Sequence, residues 1–151
     1  MTHMTIRDPF PPTNEAAIRQ FEVQLNVDLP STYRSFLLDY NGGRPLRAEF
    51  PITGDPLNPS GTINWFFGIH DGQHYDVRRA YSVYQNRVPA NFLPIAEDPG
   101  GNLICLSIAG NDYGVVYFWD HDYEALSDEV PGYENVYLIT NSFAELLESL
   151  K

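Results

Sequence analysis

The sequence predicts an α+β fold in which a central antiparallel β-sheet is packed by an N-terminal helix pair and a C-terminal helix, with residues 1–151 forming a single domain. Three observations predict it. Apolar residues recur at helical spacing near both ends of the chain. The second half holds three strand-length apolar runs divided by strong turn signals. Finally, 151 residues that are 43% hydrophobic and 19% charged match one compact domain with a real core.

The first helix is expected over Asn14–Leu25. Asn14 or Thr13 is its N-cap, Glu15 meets the positive end of the helix dipole, and Ala17, Ile18, Phe21 and Leu25 share one face. Pro30 suits the first turn of a second helix, where Tyr33, Phe36, Leu37 and Tyr40 repeat at i, i+3, i+4 and i+7. Asn41-Gly42-Gly43 ends it, because glycine takes the left-handed conformation that closes a helix. The stretch from Arg44 to Thr62 carries four prolines and reads as a long loop with no regular element, placed to cover or flank a surface.

Trp65–Ile69 reads as a short strand, His70-Asp71-Gly72-Gln73 as a polar turn, and Asp76–Tyr84 as a short helix. Phe92–Glu97, Asn102–Ile108 and Val115–Asp120 then read as an antiparallel meander. Their apolar residues fall at both parities, so both sheet faces are expected to be at least partly covered, with the helices on one of them. After a polar loop over Asp120–Gly132, Val136–Ile139 is a further strand. Ser142-Phe143-Ala144-Glu145 has capping-box form and opens a last helix with Phe143, Leu146, Leu147 and Leu150 on its inner face.

Charge is distributed unevenly. Residues 1–87 hold nine acids and eight bases, whereas from Val88 onward eleven acids face the single base Lys151, within a formal net charge of −11. An acidic block of this kind repels nucleic acid and anionic lipid and attracts a basic partner. Neither nucleic acid nor a membrane is therefore expected as a partner. The lone Cys105 excludes an internal disulfide and a cysteine-rich zinc site. The first residues lack the apolar run of a signal peptide, and no 18-residue apolar stretch occurs, so the expected compartment is the cytoplasm.

Two stretches together carry a family resemblance. One is Ile18-Arg19-Gln20-Phe21-Glu22, Leu29-Pro30, Tyr33, Phe36-Leu37 and Tyr40-Asn41-Gly42-Gly43. The other is Phe92–Asp98, Gly101–Leu106 and Gly114–Asp122. In order and spacing these resemble the SUKH (Smi/Knr-like) superfamily from about Ile18 to Leu150. The resemblance implies an α+β domain used in bacteria as the immunity partner of polymorphic toxins, many of them nucleases. Eukaryotic relatives serve as regulatory scaffolds, so a non-catalytic protein-binding role is the alternative it implies. The Pro-rich segment at about 44–62 lies outside the recognised pattern.

No catalytic residue, metal ligand or cofactor is expected. His70, Asp71, His74 and Asp76, and separately Asp120, His121 and Asp122, offer imidazole and carboxylate groups, but their spacing matches no helical metal site and they read first as turn residues. Cys105 and Ser107 lie mid-strand without a nucleophile motif, and no Gly-rich phosphate loop with a following lysine occurs. The expected partner is a cognate, basic toxin. The surface expected to meet it comprises Asp98, Asp112, Tyr113, Asp120, Asp122, Tyr123, Glu124, Asp128 and Glu129, where acids and tyrosines gather at strand ends and loops. Against a catalytic acid at Asp98, a carboxylate that opens its own turn by bonding its own backbone is the simpler reading. Oligomeric state is not legible.

Overall fold

In the computed structural model, residues 4–72 and 74–151 are described. Met1, Thr2 and His3, and Gln73 at the end of the expected turn, lie outside them.

Helix α1 (Glu15–Leu25) begins at Asn14, whose side chain accepts from the amide of Ala17 at 2.8 Å, and stops at Asn26 in the left-handed region (φ 56°). Such a cap contributes about 1 kcal/mol. Helix α2 (Ser31–Asp39) follows Pro30, which occupies the cap position and offers no side-chain acceptor for a capping hydrogen bond. The two helices are instead stapled from the side. Glu22, nearly fully buried on α1, accepts from the amide of Leu29 at 2.7 Å and from Arg34 Nε at 3.2 Å.

Asn41-Gly42-Gly43 does more than stop α2. All three residues have positive φ, and a Cβ at Gly42 would sit 2.8 Å from the carbonyl oxygen of Phe66. The close approach lets Gly43 and Phe66 exchange two backbone hydrogen bonds. Buried Asn41 completes the junction, donating to the carbonyls of Pro11 and Ile69 and accepting from the amide of Ile69.

The segment expected as a featureless loop is corrected by the structure. It contains β2 (Arg44–Pro45), β3 (Glu49–Pro51) and β4 (Ser60–Thr62); β2 pairs with β1 (Ile6–Arg7), and β3 with β4 as a hairpin. Alternation around the prolines buries Phe50 and Ile52, so this segment supplies core.

The central sheet is a five-stranded antiparallel meander in chain order: β5 (Trp65–Phe66), β6 (Phe92–Glu97), β7 (Leu103–Ser107), β8 (Val116–Trp119) and β9 (Val136–Thr140). One row across it is Phe66, Ala96, Ile104, Phe118 and Tyr137. This face meets Phe36 of α2, Phe50 of the hairpin and Phe143 of α4 (Phe143–Ser149). The neighbouring row, including Leu103 and Trp119, points the other way. There α3 (Val77–Tyr84) sets Tyr84 edge-on to Trp119, so the helices occupy both faces rather than one.

Both edge strands are partly closed, β5 through Gly43 and β9 through the amide of Thr53, which donates to Leu138 at 2.8 Å. That closure blunts the sheet against edge-to-edge pairing. Ser142 caps α4 by accepting from the amide of Glu145, but in return the Glu145 carboxylate accepts from the amide of Asn141, one residue earlier than expected.

Candidate partner-binding surface

The loop that follows β8 is pinned at its neck. Asp120 and Asn135, both buried, join through two bonds: the Asp120 amide donates to the Asn135 carbonyl at 3.0 Å, and Asn135 Nδ2 returns to the Asp120 carbonyl at 2.8 Å. Asp120 also caps a one-turn 3₁₀ helix, His121–Tyr123, by accepting from the amide of Asp122. A loop closed at its base by buried polar pairs presents its tip in a defined orientation.

The nine expected contact residues separate into two groups. Asp98 closes its own turn, accepting from the amides of Gly100 and Asn102 and from Asn102 Nδ2. Asp112 is held by Ser107, Tyr117 and Tyr133 through their hydroxyls at 2.9, 2.8 and 2.7 Å. Burial pushes its pKa up, but the hydroxyls of Tyr133, Tyr117 and Ser107 outweigh that and hold it below the ordinary aspartate value. Asp120 is only 6% exposed. Glu124 forms a two-pronged ion pair with Arg87, whose guanidinium also lies over the ring of Tyr84. These four carboxylates are engaged in the fold, Asp98 in the turn that the sequence reading gave it. A carboxylate surrounded by donors from its own chain is stabilised where it sits.

The second group is exposed. Asp122, Tyr123, Asp128 and Glu129 all reach solvent along the loop, and Tyr113 does so from the β7–β8 turn while its hydroxyl donates to the carbonyl of Asp28. Between the loop acids stand Leu126, Val130 and Tyr123, with Val130 93% exposed. Sequence reading picked out the acids and tyrosines; it missed the two aliphatic residues, whose only signal was their place inside a polar stretch.

Also missed was a groove of about 390 Å³ between the Pro-rich segment and this loop, lined by Asp55, Leu57, Asp120, Tyr123, Glu134 and Tyr137. Asp55 is fixed by accepting from the amides of Leu57 and Asn58 and from Asn58 Nδ2. More than sixty residues separate the two walls, so no local pattern in the sequence could have paired them.

The catalytic and metal candidates are distributed as follows. His70 stacks on Phe10 with centroids 3.9 Å apart and accepts the amide of Gly72 on Nδ1. Asp76 caps α3 and is gripped by Arg78. Asp120, His121 and Asp122 can bring one ligand atom each within 4.8 Å of the others, yet Asp120 already takes the Asp122 amide and His121 Nδ1 lies 2.6 Å from Asn102 Oδ1. Cys105 is wholly buried, and burial pushes its thiol far above the ordinary value. Ser107 is buried as well, with its hydroxyl given to Asp112 and the carbonyl of Ala109. Neither side chain reaches solvent. Among the described residues, no helix is long and apolar enough to cross a membrane.

Comparison with known proteins adds a family and a relative. The chain is similar to the SPbeta prophage-derived uncharacterized protein YokK of Bacillus subtilis (strain 168), 31% identical over 153 residues that cover 91% of this chain and 74% of that protein. A family model described as the SMI1 / KNR4 family (SUKH-1) matches residues 12–149. The match starts just before the Asn14 cap, ends with the last residue of α4, and runs through the Pro-rich segment that the sequence resemblance left aside. Since every strand of the central sheet and every helix packed on it falls inside that span, the chain belongs to the SMI1 / KNR4 (SUKH-1) family.

Proposed function

We propose that this protein is an immunity protein, which binds and neutralises a cognate basic toxin domain, a nuclease being the expected kind, by covering it with an acidic surface and without chemistry of its own. The observation that carries the reading is the loop between β8 and β9. It combines exposed acids, Asp122, Asp128, Glu129 and Glu134, with exposed Tyr123, Leu126 and Val130 on a base pinned by Asp120 and Asn135. Large apolar and aromatic side chains held in water beside like charges are what a protein interface uses for area and for choice of partner. The uneven charge supports the same reading, because an acidic half draws a cationic cleft toward itself and sets encounter rate and specificity more than raw affinity.

The test uses the product of the neighbouring reading frame. Co-expression of this chain should relieve that product's toxicity, and the purified pair should form a stoichiometric complex whose association slows as salt rises. Turnover of a substrate by the purified chain, or a toxin left fully active at stoichiometric ratio, refutes the reading. A stable complex with a host regulatory protein in place of a toxin would favour the scaffold role instead.

A further inference from the structure

The groove between the Pro-rich segment and the β8–β9 loop gathers three carboxylates, Asp55, Asp120 and Glu134, around the rings of Tyr123 and Tyr137. None of the ion pairs formed by the described residues includes any of the three. Asp120 is the most informative. The residue is more than nine-tenths buried, one of its carboxylate oxygens takes the amide of Asp122, and the other accepts from no described residue while the side chain lines the groove. That second oxygen opens onto the groove rather than into the core, so a cation entering there would meet an acceptor that no donor of the described residues occupies. The wall opposite is preorganised, since Asp55 is locked by its own turn. The negative field converges on the ring between them: desolvation, followed by the charges of Asp55 and Asp120, raises the pKa of Tyr137.

We propose that this groove seats the guanidinium of one arginine side chain from the basic partner. The plane of the group would lie against a tyrosine ring, and its N–H fork would reach Asp120 and a rim carboxylate. Arginine fits better than lysine on two counts. A planar, weakly hydrated cation stacks on aromatic faces, and its five donors can serve carboxylates on both walls at once, whereas an ammonium is a strongly hydrated point charge. The assignment rests on the immunity reading for the source of the arginine, and on the groove alone for the chemistry.

The test is an amide NMR titration of the whole chain at low salt with N-acetyl-arginine amide, and with the matched lysine and citrulline amides. Arginine should shift the amides of Leu57, Asp120 and Tyr123 with saturation. Lysine should bind about threefold or more weakly, and citrulline, which keeps the shape without the charge, should leave them unmoved. Glu134→Gln and Tyr123→Ala, both at exposed positions, should each weaken the arginine response about threefold or more while the remaining spectrum superimposes on the parent. Shifts spread evenly over Asp128, Glu145 and Glu148 as well, an equal response to citrulline, or titrations unchanged in both variants would overturn the site. Cognate toxin binding is measured on the same variants. A toxin that binds parent and variants alike removes the groove and leaves the immunity reading standing. Arginine seated in a chain that binds no toxin does the reverse.

Discussion

The phenol of Tyr133 donates a 2.7 Å hydrogen bond to the carboxylate of Asp112, tying the end of the β8–β9 loop to the turn between β7 and β8. Tyr117 and Ser107 reach the same carboxylate from the sheet, and Asn91 Nδ2 lies at 3.2 Å. Asp112 is thus the knot that positions the candidate interface, and its charge is spent inside the fold.

Stability should carry the mark of that knot in acid. The folded-state pKa of Asp112 is depressed, so its stabilisation is fully present above the unfolded value of about 3.9 and is lost as the pH falls through the folded value. Asp112→Asn is expected to lower stability near neutrality by about 2 kcal/mol and to flatten the acid limb below about pH 4. Glu97, raised chiefly by desolvation and by Asp98, acts in the opposite sense, so the difference between variant and parent is the quantity to follow. Denaturant titrations at stepped pH measure it; parallel acid limbs in the two proteins would contradict the assignment.

Glu22→Ala should destabilise the protein by about 3 kcal/mol, because it strips the amide of Leu29 and leaves Arg34 with only its outer partner Glu15. In a domain of this size that is a fall of roughly 6–12 °C in Tm. A loss under about 1 kcal/mol would mean that water or another group replaces the staple.

Tyr33→Phe should do the opposite. The ring packs edge-on to Phe143 and is wholly buried, while its hydroxyl finds no partner among the described residues. Removing an unmatched buried hydroxyl while keeping the ring is expected to raise stability by up to about 1 kcal/mol. Thermal unfolding decides it, and a clear drop in Tm would reveal a hidden hydrogen bond.

Charge reversal separates the two groups of acids. Replacing Asp122, Asp128 and Glu129 together by lysine is expected to slow association with the cognate toxin about tenfold at low salt and to change stability by less than about 1 kcal/mol. Asp120→Lys should unfold the loop neck instead, since it puts a long cation where a buried cap sits. Association at the parental rate by the triple variant would move the contact off this loop.

Much of the architecture was legible before any coordinates. Asn14 and Ser142 announce helix starts because a cap is a bond between neighbours, and the β6–β7–β8 meander is announced by turns such as Asp98–Asn102, whose carboxylate bonds its own backbone. The Pro-rich segment was misread for the complementary reason. Four prolines argue against a long element, but Phe50 becomes core only when Phe118 is there to meet it, and β3 becomes a strand only when β4 pairs with it. The candidate surface divides along the same line. That the second half is acidic is a property of composition; that Glu124 is bound by Arg87, 37 residues earlier, is not.

By itself, then, the sequence determined the α+β class, the helix caps, the order of the strands and the excess of negative charge, all of which depend on contacts or periodicities spanning a few residues. The tertiary structure alone decided which carboxylates are used up inside the fold, which face each helix covers, and that Asp55 and Asp120 share a groove. Those outcomes depend on distances between residues far apart in the chain, and such distances exist only after the core has packed.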